Sequence, residues 1–183
     1  MDTLADNGLM LKVKEGNIDM MSLLYERHHR ALYGFIFQMT KQKESSEDMV
    51  QNVFLRMLQY RASFTGVGEF KTWMYHIARN VLNDYYKKNK KTPAHYNVQD
   101  FEEKIEGGHL ADTKIEKKQE LKTLAMAMES LSADNRELLI LCRYQELKYH
   151  EVALILGITE TAVKVRVHRA LIALKSNYIK IAN

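Results

Sequence analysis

The stretch Tyr149–Leu174, YHEVALILGITETAVKVRVHRALIAL, decides the fold of its part of the chain. Ala153, Gly157 and Val163 stand at offsets of four and ten, with Leu156 before the glycine and Ile158 after it. Two helices that cross closely around a tight turn need this pattern. They need a small residue at the crossing, a glycine that can take positive φ to end the first helix, and an aliphatic anchor on the second. Thr159 is placed to cap the second helix, because its hydroxyl can accept from a free N–H of the first turn. Val163–His168 alternates apolar and polar, which alone would signal a strand. The series Val163, Val167, Ala170, Leu171 and Leu174 instead continues at helical spacing after a capped start, so the reading is a helix-turn-helix. On its second helix Thr161, Lys164, Val165, His168 and Arg169 face outward. That set suits a DNA major groove, where Lys and Arg can reach guanine O6 and N7 and an outward Val can meet a thymine methyl. Arg166 is better placed for a phosphate. The alternative, a plain helical hairpin with a basic wet side, is disfavoured because spacing and charge occur together.

The rest of the 183 residues supports a helical reading, since one Pro and eight Gly are too few for the turns of an all-β fold. Hydrophobic residues at 46% and charged residues at 27% match a soluble globular chain that can bury a core. Upstream, Leu23, Leu24, Ala31, Leu32, Phe35, Ile36 and Met39 mark a long helix over Asp19–Met39. Ser45 with Asp48 three residues later resembles a capping box that opens a second helix running to about Tyr60. After the turn Thr65-Gly66-Val67-Gly68, Phe70, Trp73, Met74, Ile77, Val81 and Tyr85 form another stripe, with His76, Arg79, Asn80, Asn83 and Lys87 opposite. The segment 93–118 opens on Pro93, contains Gly107-Gly108 and shows no sustained periodicity, so it reads as an acidic linker. The chain is therefore expected to be all-α, with one small domain over 1–92 and a second over 119–183.

Charge follows this division. Lys71–Lys91 carries six basic residues against Asp84, a local +5, and Glu160–Lys180 carries five against Glu160, a local +4. Ala94–Glu120, between them, sums to −3. Two basic stripes around an acidic spacer suggest two contacts on one polyanion, beside the plainer possibility of solvated helix faces. Lone Cys142 cannot form an internal disulfide and reads as a small buried hydrophobe in a reducing compartment. Asp2 and Asp6 stand where a secretory signal would want basic residues, and no segment approaches the roughly 18 apolar residues of a spanning helix. A cytoplasmic protein without membrane insertion is expected. No phosphate loop, zinc-protease helix or nucleophile elbow is present, so no catalytic residue, metal or cofactor is expected. Trp73, inside an apolar stripe, reads as core rather than as a base-stacking platform.

With these segments in view, the chain resembles a bacterial sigma factor of the extracytoplasmic-function (ECF) group of the sigma-70 family. The resemblance is carried by EDMVQNVF at 47–54, FKTWMYHIARN at 70–80, DYYKK at 84–88 and VKVRVHRA at 163–170. It places sigma region 2 over about Asp19–Lys91 and region 4 over about Leu121–Tyr178, with no domain between. The resemblance implies that Asp48, Gln51, Asn52 and Leu55 grip the beta-prime clamp of core RNA polymerase. It further implies that the loop Phe64–Phe70, with His76, Arg79, Asn80 and Asn83, melts and holds the minus-ten promoter element. Phe64, Phe70 and Asn80 can supply the aromatic edge and hydrogen bonds that an unstacked base needs. Lys87 and Lys88, with Lys90 and Lys91, would sit on phosphates. Thr161, Lys164, Val165, Arg166, His168 and Arg169 would read the minus-thirty-five duplex. The implied partners are the polymerase core, through the beta-prime clamp and the beta flap, promoter DNA, and an anti-sigma factor. The free protein is expected to be a monomer.

This chain departs from the family at three places. Ala162 and Val165 stand where hydroxyl residues are common, which alters the phosphate contacts and the sequence preference. Lys148 stands where a Ser would cap the first helix of the helix-turn-helix, so that cap must come from elsewhere. Two other readings make different predictions. A ligand-sensing DNA-binding regulator would be a dimer on palindromic sites, and a helical interaction protein would tolerate Lys164→Ala with Arg169→Ala.

Overall fold

Eight α-helices make up the described residues, 5–89 and 111–183, of this computed structural model. The first unit holds α1 (Asp6–Lys14), α2 (Met20–Thr40), α3 (Lys43–Gln59), a 3-10 turn at Arg61–Ser63 and α4 (Phe70–Asn89). The second holds α5 (Ala111–Glu129), α6 (Ala133–Leu139) running into a π turn at Ile140–Tyr144, α7 (Tyr149–Leu156) and α8 (Glu160–Ala182). Each of these long helices forms because its apolar residues recur on one side. Leu24, Leu32, Phe35 and Ile36 of α2, Met49, Val50, Val53 and Met57 of α3, and Phe70, Met74, Ile77 and Val81 of α4 are all buried together. Trp73 packs at the edge of this core, with its ring 5.1 Å from Phe64.

Three details differ from the sequence reading. The start of α3 is not capped by Ser45, because the helix begins at Lys43 with Gln42 in the cap position. Lys41 adopts the left-handed conformation at φ 56°, which joins α2 to α3 through only two residues and leaves the serines inside the helix. Ser46 is fully buried; its hydroxyl donates to the Gln42 carbonyl at 2.6 Å and lies 3.0 Å from the Thr40 hydroxyl. Secondly, α1 has no counterpart in the sequence reading, yet it inserts Leu9, Met10 and Val13 into the core. Thirdly, α5 starts at Ala111, so the last residues of the segment read as a linker, 111–118, are helical. Residues 93–110 of that segment, with Lys90 and Lys91, lie outside the described residues.

The helix-turn-helix forms as its spacing requires. Gly157 ends α7 at φ 67°, and the Ile158 N–H donates back to the Ala153 carbonyl at 3.1 Å. The Thr159 hydroxyl accepts from the Ala162 N–H at 3.1 Å, and Val163, Val167 and Ala170 are buried below. A Cβ at Gly157 would meet nothing within 4 Å, so substitution there costs only backbone conformation. Gly157→Ala is expected to lower stability by about 1–2 kcal/mol in thermal or denaturant unfolding, and Gly157→Asn by less. An alanine variant as stable as the parent would show that the turn does not depend on positive φ.

Candidate nucleic-acid interface

On α8 the buried side is Val163, Val167 and Ala170, and every residue assigned to base or phosphate reading lies on the other side. Thr161, Lys164, Val165, Arg166, His168 and Arg169 are all exposed. On this face Lys164 Nζ pairs with Glu160 at 2.9 Å; both side chains are solvated, so the pair holds the lysine only weakly. The first helix of the motif obtains its missing cap from Glu151. The Glu151 carboxylate accepts from the Lys148 backbone N–H at 2.7 Å, the half of a capping box that needs no hydroxyl at the cap position.

In the first unit, α4 presents His76, Asn80, Asn83, Lys87 and Lys88 to solvent, while Arg79 is half-buried. Asp84, the acid of this basic stripe, is held by Arg56 at 2.8 Å; the hydrogen bond keeps its carboxyl below the usual range. The loop 64–70 corrects one sequence expectation. Phe64 and Phe70 offer no free aromatic edge, because both are core residues, at 2% and 1% exposure, packed edge-on to each other 6.3 Å apart. Burying both rings removes a large apolar area from water, which favours the inward arrangement. The exposed tip is Val67, at 88%. Tyr75 of α4 is buried, and burial pushes its hydroxyl well above the ordinary value so that it stays a hydrogen-bond donor. Tyr85 and Tyr86 spend their hydroxyls on Gln42 and on the Met39 carbonyl.

On α3, Asp48, Gln51, Asn52 and Leu55 fall on one exposed face, opposite Met49, Val50, Val53 and Met57. Leu55 is 64% exposed, and Tyr60 beyond it 51%, so a polar face carries apolar points that are not satisfied within the chain. Cys142 is buried, and desolvation raises its thiol to about 11, which leaves it unreactive at neutral pH.

The two units are docked, a feature invisible in the sequence. α4 packs on α7, and α2 packs on α6 and the π turn. Polar contacts cross this boundary at Arg79–Glu137 (3.1 Å), Lys41–Glu129 (3.2 Å) and Thr72–Glu151 (3.3 Å). Tyr75 donates to Gln145, whose amide in turn donates to the Ala31 carbonyl at 3.4 Å. Glu151 thus caps the helix-turn-helix with one oxygen and meets α4 with the other. Burial raises the Glu137 carboxyl, and Arg79 only partly offsets this. Lys41, with an 8% exposed side chain, is lowered by burial against the opposing pull of Glu129.

A helical pair, one unit bearing a helix-turn-helix and the other a basic helix beside a glycine-punctuated loop, is the class this geometry defines. The family comparisons identify it. Residues 24–92 match the model of sigma-70 region 2, and residues 121–174 match that of sigma-70 region 4. The chain belongs to the sigma-70 family, in its ECF group, and is a sigma factor of bacterial transcription initiation. It is 30% identical to the ECF RNA polymerase sigma factor SigX of Bacillus subtilis, over 87% of this chain and 84% of that one. It is 28% identical to RNA polymerase sigma factor YlaC of the same organism, over 88% and 94%. In fold it matches CnrH, solved with the cytosolic domain of CnrY, at a TM-score of 0.72 and 22% identity, covering 94% of this chain and 96% of that one. Among the described residues no helix is long and apolar enough to cross a membrane.

Proposed function

We propose that this protein directs core RNA polymerase to promoters by dividing recognition between its two units. α8 reads the minus-thirty-five duplex through Thr161, Lys164, Val165, His168 and Arg169, with Arg166 on a phosphate. The exposed face of α4, His76, Asn80 and Asn83 together with Arg79, holds the opened minus-ten strand, and Lys87 and Lys88 neutralise its backbone. The loop 64–70 shapes that site, with Phe64 and Phe70 anchoring it from beneath. The observation that carries the reading is the division of α8, where the outward set is solvent-facing while Val163, Val167 and Ala170 are buried. The protein contributes no catalytic group; the chemistry of RNA synthesis belongs to the polymerase, and the site of action is the cytoplasm.

Core binding is assigned to the α3 face of Asp48, Gln51, Asn52 and Leu55, against the beta-prime clamp. The beta flap is assigned to the apolar groove of the second unit between Leu124, Met128, Leu139, Tyr144, Leu171 and Leu174. Control falls to an anti-sigma factor. This is supported by the similarity to CnrH and to RpoE of Bartonella quintana, solved in complex with the anti-sigma factor NepR, at a TM-score of 0.67 over 88% of this chain and 98% of that one. Arg79 is engaged by Glu137 in the docked arrangement, so full use of the α4 face requires the units to part.

The test is run-off transcription with purified bacterial core polymerase on a promoter library, with and without this protein. Start sites that depend on the protein are expected, and their absence would remove the reading. Asp48→Ala with Gln51→Ala should weaken core affinity about tenfold or more in a fluorescence titration with no change in unfolding temperature, because both side chains are exposed. Unchanged affinity would take this face out of the interface.

A further inference from the structure

The loop 64–70 is held in shape from outside itself. Its backbone turns through Gly66 at φ 73° and Gly68 at φ 81°, conformations that leave its polar groups without a regular ladder. The partners come from α1, some sixty residues earlier. Asn7 Nδ2 donates to the Gly68 carbonyl at 2.7 Å, and Asn7 Oδ1 accepts from the Phe70 N–H, also at 2.7 Å. One side chain therefore closes the end of the loop and caps the first residue of α4 from another helix, the task that a residue preceding α4 would otherwise perform. At the other end of the loop, Lys14 Nζ donates to the Phe64 carbonyl at 2.6 Å. Between them, a Cβ on Gly66 would lie 3.3 Å from the Leu11 methyls, so the loop backbone rests directly on α1.

Asn7, Leu11 and Lys14 are spaced i, i+4 and i+7, which puts them on one face of α1 along the length of the loop. α1 is itself pinned. Leu9, Met10 and Val13 are buried, and the Asp6 carboxylate meets Arg27 and buried His28, each at 2.7 Å. Burial alone would raise the Asp6 carboxyl, but the hydrogen bonds and charges of Arg27 and His28 outweigh it and hold the group lowered, hence ionised. The chain of support runs from the core through α1 to Asn7, and from Asn7 to the loop and the first turn of α4.

We propose that α1 is the template for the promoter-opening loop, with Asn7 as a positioning residue for capture of the minus-ten strand. The inference rests on the reading of that loop and the α4 face as the minus-ten site. Asn7 touches no DNA in this account. It sets where the exposed tip at Val67 stands relative to His76 and Asn80, and a loop free to sample other shapes captures an opened base less often.

The experiment uses the full chain with core polymerase on a promoter recovered from the run-off selection. The minus-ten strand carries 2-aminopurine, and both duplex and pre-opened templates are used. Asn7→Ala is expected to lower the yield of open complex about tenfold on duplex and to weaken capture on the pre-opened template, with core affinity and minus-thirty-five binding unchanged. Asn7→Asp keeps an acceptor for the Phe70 N–H but loses the donor to Gly68, and should recover part of the loss. His76→Ala and Asn80→Ala serve as direct-contact controls. Normal opening by Asn7→Ala beside defective controls would overturn the template while leaving the minus-ten assignment intact. Normal opening by all three variants would remove the assignment and the inference together. Parallel loss of unfolding temperature, core affinity and minus-thirty-five binding in Asn7→Ala would reduce the residue to a structural one and also overturn the proposal.

Discussion

Lys164→Ala combined with Arg169→Ala is expected to cut run-off transcription from a promoter dependent on its minus-thirty-five element by roughly a hundredfold or more. Each side chain stands on the exposed side of α8, and a good base contact in the major groove contributes about 1–3 kcal/mol of discrimination. The fold should not change. The helix is anchored by Val163, Val167 and Ala170, and the ion pair lost with Lys164 is a solvated i, i+4 pair to Glu160 that adds little to stability. Circular dichroism and unfolding temperature are therefore expected to match the parent. Should the lost cations rest on phosphates instead, transcription would fall similarly on every promoter, and the salt dependence of DNA binding would flatten by nearly one unit of slope per cation. Transcription unchanged on all promoters would remove α8 as the reading helix.

Glu137→Lys is expected to separate the two units. It sets a second cation against Arg79 at a site where Glu137 is 8% exposed and now lies 3.1 Å from the guanidinium. Two unit charges about 4 Å apart repel by about 4 kcal/mol at the effective dielectric of a protein boundary, and the lost attraction adds to this. The equilibrium constant for docking should drop by two to three orders of magnitude. Small-angle scattering should show a larger radius of gyration, and amides of α4 and α7 should exchange faster. With Arg79 released, binding of a single-stranded minus-ten oligonucleotide by the protein should strengthen. Unaltered scattering and exchange would show that the polar contacts do not govern docking. Glu137→Gln is the control, because it keeps an oxygen for the Arg79 Nε–H and removes the desolvated charge. The sign with pH follows from the raised Glu137 carboxyl. Its protonated form is favoured in the folded chain, so its contribution to stability is fully present below the ordinary carboxylate value and is lost as pH rises through the raised one. The Gln variant should lose this part of the pH dependence.

The features legible in sequence are those that local rules specify. Gly157, Thr159 and the burial pattern of α8 follow from positive φ, capping and helical period, each settled within a few residues. The faces of α3 and α4 were legible for the same reason, and the two family segments at 47–54 and 70–80 lie on them. The capping box at Ser45 misled because the signature describes a helix start in isolation. The left-handed turn at Lys41 moved the start to Lys43 and gave Ser46 backbone and side-chain partners inside the fold. α1 was overlooked although Leu9, Met10 and Val13 carry a helical spacing. Nine residues give too short a periodic signal to be read without the core they enter.

By itself the sequence determined an all-α chain in two units, the helix-turn-helix, and the residues that face solvent on α3, α4 and α8. It also carried the family, through motifs whose side chains are set by helical geometry alone. The tertiary structure decided which loop residues serve as core and which as surface. Phe64 and Phe70 turn inward because burying two rings outweighs presenting them. It also decided that Asn7 caps α4 and that Glu137 meets Arg79, pairings across 63 and 58 residues. No periodicity spans such separations. Contacts of this kind depend on how packed helices bring distant backbone and charge together, and that is a property of the assembled core.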